Sequence, residues 1–97
     1  MTNEESNLKN VPIGLKDISR YISACLYSLS KENEVKILAR GNNTKKAIDI
    51  LAILIRDYLD KPQYNVVVDS EKFKEGDHTR YVSTIEITLS GVRKEIK

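Results

Sequence analysis

Apolar positions along the chain recur with two different periods. From Asp17 to about Ser30, Ile18, Tyr21, Ile22, Cys25, Leu26 and Leu29 return every three or four residues, the spacing of one helical face. Glu34 to Ala39 alternates instead, with Val35, Ile37 and Ala39 on one side, and predicts a strand. Arg40 to Asn43 reads as a turn. Asn43 or Thr44 then supplies the N-cap of a second helix that runs to about Asp60, where Lys61 and Pro62 stop it. Tyr64 to Val68 is β-branched and predicts a strand, as does Tyr81 to Leu89, where Ser83, Ile85, Ile87 and Leu89 alternate with Val82, Thr84, Glu86 and Thr88. Near the start, Val11 to Ile13 is extended, because proline and the residue before it avoid helix, and belongs at a sheet edge. Residues 1–9 are polar and predict a flexible tail before a single domain over residues 10–97. The order is βαβαββ, an α/β two-layer sandwich with both helices on one sheet face.

The second helix carries more apolar residues than one face requires. Ile48, Leu51, Ala52, Ile55 and Leu59 form one stripe; Ala47, Ile50, Leu54 and Tyr58 form another. Only one stripe meets the sheet, so the surplus predicts a homo-oligomer, most simply a dimer, with Ile50, Leu54, Tyr58 and Leu59 at its interface.

Composition narrows the function class. With 97 residues, 40% of them hydrophobic and 31% charged, the chain is globular and one domain long. The apolar run from Ala47 to Ile55 falls far short of a membrane span, and the residues from Met1 to Ser6 lack the features of a secretory signal, which predicts a cytoplasmic chain that makes no use of a membrane. One cysteine, Cys25, leaves no internal disulfide, and one histidine, His78, argues against zinc; no metal or other cofactor is expected. No nucleophile motif or paired-carboxylate spacing appears, so catalysis is not expected either.

The net charge of +2 says little, but its distribution says more. Gly14 to Lys46 holds seven bases against three acids, whereas Ala47 to Ser70 holds two bases against four acids. Such asymmetry suggests that one end of the domain faces an anion while another face does not; ordinary solvated charge is the alternative. Three places stand out. The turn Arg40, Gly41, Asn42, Asn43, Thr44, Lys45, Lys46 puts bases where a helix N-terminus normally attracts acids; a bound phosphate would turn that mild repulsion into convergence. The alternative is an ordinary solvated lysine pair. In the hairpin between the last strands, a turn centred on Gly76 would set Lys74 opposite His78 and Lys72 opposite Arg80, giving one basic face suited to backbone phosphates. A slip of one residue would mix the signs. Finally, Lys16 and Arg20 lie one turn apart at the start of the first helix. Tyr27 is a candidate for stacking on bases, while Tyr21 sits on the core stripe.

Four blocks carry a resemblance. Asn10-Val-Pro-Ile-Gly-Leu-Lys16, Lys36-Ile-Leu-Ala-Arg-Gly41, Lys46-Ala-Ile-Asp49 and Val82-Ser-Thr-Ile-Glu-Ile-Thr88 resemble, in order and spacing, the Alba family of archaeal chromatin proteins. The resemblance covers about residues 10–89. It implies the βαβαββ fold shared with the C-terminal domain of translation initiation factor three, and a homodimer that binds double-stranded DNA and RNA with little sequence preference and condenses DNA on the chromosome. It implies that Lys16 lies on the dimer's central binding surface, that Arg40 and Lys46 contact nucleic acid, and that Lys72, Lys74 and Arg80 belong to an arm along the minor groove. It also places Tyr58 in contacts between dimers.

Two departures qualify that picture. Leu15 replaces a lysine that some relatives acetylate, and Asn42 replaces a second turn arginine, so binding should be weaker, with RNA as the main ligand or with a more basic paralogue as heterodimer partner. The exposed apolar Leu15 is expected to meet bases or another subunit. Two rival readings stay open: an RNA-binding subunit of an RNase P-like ribonucleoprotein, and a protein-interaction module built on the second helix.

Overall fold

The computed structural model describes residues 9–95; the expected tail lies outside them except for Lys9. The elements are β1 (Asn10–Pro12), α1 (Ile18–Glu32), β2 (Val35–Arg40), α2 (Asn43–Ile53), a π-helical turn (Leu54–Tyr58), β3 (Leu59–Glu75) and β4 (His78–Arg93). The sheet order is β1-β2-β4-β3, with β1 parallel to β2 and the other pairs antiparallel. This is the expected βαβαββ sandwich.

Each boundary has a local cause. α1 buries Tyr21, Ile22, Cys25, Ser28 and Leu29, one face at helical spacing. It ends at Asn33, which takes a left-handed conformation (φ 64°) and returns its N–H to the Leu29 carbonyl. In the sheet, Val35, Ile37 and Ala39 of β2 stand directly opposite Leu89, Ile87 and Ile85 of β4, and these six form the floor beneath the helices.

The second helix differs from expectation in two ways. It does not reach Asp60: the chain widens into the π turn, strand geometry begins at Leu59, and Pro62 lies within β3. The strand tolerates proline there because β3 is an edge and is bulged between Asp60 and Gln63. The core stripe is also rotated. Ala47, Ile50, Leu51 and Leu54 are buried within the chain itself, as is Leu59, so Ile50, Leu54 and Leu59 are not free for an oligomer contact. Tyr58 is half-buried against the same core. The physical reason is that the helix lies on β2 and β4 with the Ala47 side down, which leaves Ile48 and Ala52 outward.

The apolar surplus is real but sits elsewhere. Tyr64, Val66 and Val68 of β3 share the sheet face of Leu89, Ile87 and Ile85, yet they stay exposed because the helices do not reach that edge. With Ile48 and Tyr81 they leave an uncovered apolar strip on the helix side of the domain. No helix among the described residues is long and apolar enough to cross a membrane.

Candidate functional site

The β1–α1 loop is held by two side chains. Tyr21, buried on α1, places its hydroxyl oxygen where the Gly14 and Lys16 N–H groups donate to it at 2.8 and 3.1 Å. Lys46, in the first turns of α2, donates from Nζ to the Gly14 and Lys16 carbonyls at 2.7 and 3.1 Å, and lies 5.7 Å from the Tyr21 ring centre. Both backbone groups of both residues are thereby satisfied. Between them Leu15 is 99% exposed. Lys16, Asp17, Arg20 and Leu15 line an open depression of about 300 Å³. The fold thus joins two of the three basic places foreseen, but Lys46 spends two of its three donors on the loop.

In the turn before α2, Gly41 takes a positive φ of 60°, which only glycine adopts without strain, and donates to the Ser83 carbonyl at 2.7 Å. The Thr44 N–H and hydroxyl both return to the Gly41 carbonyl. Asn42, rather than Asn43 or Thr44, precedes the helix, and its side chain makes no cap hydrogen bond. No acid occupies the first turn. Asn42 is exposed and Asn43 half-buried. Lys45 is paired with Asp49 at 3.0 Å.

The hairpin closes through a two-residue turn, Gly76-Asp77, with Glu75 opposite His78 and Gly76 at φ 60°. That register is one residue off the one expected. Lys72 and Lys74 stand opposite Tyr81 and Thr79, on the helix side, while His78 and Arg80 stand opposite Glu75 and Phe73, on the other. The four bases do not share a face: a turn of two residues, not one, shifts the pairing and separates them. On the open side the acids are engaged. Arg40 is bound to Glu71, Arg80 lies 3.7 Å from Glu75, and both guanidinium groups lie within 6 Å of the Phe73 ring, at 5.5 and 5.8 Å. Arg40 therefore ties the turn to the root of the arm.

Sequence reasoning did not single out Phe73, although a lone phenylalanine among arm bases is a visible signal. It weighed Tyr21 between packing and stacking on bases; the ring packs, and the hydroxyl, which neither reading used, holds the loop. Tyr27 is exposed, with Lys31 5.7 Å from its ring centre. Burial pushes the Cys25 thiol up to about 12, which keeps it protonated and inert at neutral pH.

Residues 9–71 match the model of the family described as Alba. Proteins called DNA/RNA-binding protein Alba from Thermoplasma volcanium and Thermoplasma acidophilum are each 30% identical over 80 residues, which is 80% of this chain and 90% of theirs. The solved structure of Alba from Thermoplasma volcanium matches with a TM-score of 0.72 at 29% identity, over 84% of this chain and 98% of that one. ALBA1 from Trypanosoma brucei has the same fold, with a TM-score of 0.67 at 18% identity over 86% of this chain and 68% of its own.

Proposed function

The chain belongs to the Alba family, and from that premise we propose that it binds double-stranded DNA and RNA without catalysis, largely independently of sequence, as a homodimer that helps organise or compact chromatin. The observation that carries this reading is the junction of the β1–α1 loop with the start of α2, which sets Lys16, on backbone held by Tyr21 and Lys46, beside Arg20 in the first turn of α1. A cation carried on fixed backbone loses less freedom on meeting a phosphate than one on a mobile loop. Along the arm, Arg40 and Arg80 on one face and Lys72 and Lys74 on the other offer further cations, with His78 at its tip.

A second copy is supported by the uncovered strip of Ile48, Tyr64, Val66, Val68 and Tyr81, which a partner's equivalent strip would remove from water. The pairing of Arg40 with Glu71 and of Lys45 with Asp49 means that phosphates must compete with carboxylates, which favours modest affinity. Phe73, with Arg40 and Arg80 beside it, supports a second reading in which structured RNA with unpaired bases is the preferred ligand, since aromatic and guanidinium planes stack on such bases.

The test is a salt titration of binding to matched duplex DNA and RNA by fluorescence anisotropy. Log K should fall linearly with log salt, and Lys16→Ala should reduce the slope by roughly 0.9 for each DNA phosphate left without its cation. Comparable affinities support general coating; strong preference for structured RNA supports the second reading. Absence of binding at low salt would sink both.

A further inference from the structure

We propose that Leu15 is an apolar wedge presented to the minor groove of duplex DNA, with Tyr21 and Lys46 as the clamp that holds it out. The proposal rests on the nucleic-acid reading above and adds to it a residue that contacts no phosphate. Leu15 is 99% exposed, yet the residues on both sides of it are fixed by four hydrogen bonds from two side chains. A loop pinned in this way cannot fold its leucine back onto the domain. Among the described residues the other exposed large apolar side chains lie on helices or strands, whereas this one belongs to a loop and borders an open depression together with Lys16, Arg20 and a single acid, Asp17.

That surround selects the partner. An apolar tip between cations complements a groove whose walls are phosphates and whose floor is sugar and base edges. Proteins that read such grooves insert leucine, isoleucine or phenylalanine between base steps and partly unstack them. An apolar protein pocket would have to desolvate Lys16 and Arg20 for nothing in return. The clamp matters because a wedge on backbone that is already fixed adds its burial to binding at a smaller ordering cost.

The experiment uses the full chain and a DNA duplex carrying 2-aminopurine, whose fluorescence rises on unstacking, with anisotropy recorded across a salt series. The wild type should raise the fluorescence at saturation. Leu15→Ala should lose that rise and bind about ten-fold more weakly, the scale of one buried leucine, with the salt slope unchanged. Leu15→Lys should also lose the rise but steepen the slope by roughly 0.9 per newly neutralised phosphate. Tyr21→Phe, which removes the acceptor without changing any charge, should behave like Leu15→Ala, with circular dichroism and melting checking that it folds. A-form RNA offers a wide, shallow minor groove, so the Leu15→Ala loss on duplex RNA should be smaller.

The wedge is overturned if Leu15→Ala binds as well as the wild type, if it lowers the salt slope as Lys16→Ala does, if duplex RNA shows an equal loss, or if only self-association changes. A wild type that binds neither DNA nor RNA refutes the proposed function itself, whereas steep wild-type binding with an indifferent Leu15→Ala refutes the wedge alone.

Discussion

Releasing Arg40 from Glu71 should strengthen nucleic-acid binding. The pair joins the turn before α2 to the arm, with both side chains about half exposed, at 57% and 50%. Exposed pairs contribute at most about 1 kcal/mol to folding, so Glu71→Gln should leave stability nearly unchanged. Binding is affected differently. A phosphate accepted by the same guanidinium would stand roughly 6 Å from the Glu71 carboxylate, a repulsion of about 0.7 kcal/mol in water and about 2.8 at the dielectric of a protein surface. Half exposure favours the lower figure, which is roughly three-fold per subunit and about ten-fold for a symmetric dimer. The assay is a double-mutant cycle by anisotropy at fixed salt, with Arg40→Ala, Glu71→Gln and the double variant. Arg40→Ala should cost more in the Glu71→Gln background than in the wild type, because the arginine then meets phosphate unopposed. Additive effects, or a Glu71→Gln variant no tighter than the wild type, would refute the idea that the carboxylate competes with the ligand.

Other consequences are as direct. Val68→Asp should shift sedimentation equilibrium towards monomer, because Val68 is 69% exposed in the uncovered strip, while Val67→Asp on the opposite face should not; equal effects would remove the strip from the interface. Cys25 should resist thiol reagents at pH 8 until the chain unfolds, and rapid labelling of the folded protein would contradict its burial. Its thiol is pushed up from 9.0 to about 12 by burial, so the unfolded chain loses that proton first. The corresponding stability is complete below about pH 9 and declines above it by about 1.4 kcal/mol per unit. Denaturant midpoints at pH 8 and 10 should therefore converge for Cys25→Ala relative to the wild type.

Periodicity carried the first half of the chain well. The α1 stripe and the β2 alternation appear as read, because each element there has one buried face and one wet one. In α2 two apolar stripes competed, and nothing local says which meets the sheet; the packing of Ala47, where a larger side chain would hold the helix off, decides it. The arm register failed for a related reason. Gly76 marks a turn but not its length, and with no buried face to pin the pairing, a shift of one residue changes which charges are neighbours. The clamp on the β1–α1 loop joins residues 30 and 32 apart, beyond the reach of any local pattern. Lys46 was legible as a base of interest, but its use on carbonyls was not.

The arm also divides the molecule energetically. β2 pairs with β4 only as far as Arg40 with Thr84, so beyond the Gly41–Ser83 hydrogen bond and the Arg40–Glu71 pair at their root the stretches 70–75 and 78–83 have each other as strand partners. Apart from Phe73 and Val82, every residue in them is exposed. A two-stranded ribbon without a buried face is marginal by itself, so its amides should exchange with solvent through local opening while those of β2 wait for global unfolding. Melting the ribbon uncovers little apolar surface and contributes little heat capacity, so calorimetry records the body and is nearly blind to the arm. Thermal stability and reach along a ligand are therefore separately adjustable: substitutions that stiffen or loosen the ribbon can alter binding entropy with no change in Tm.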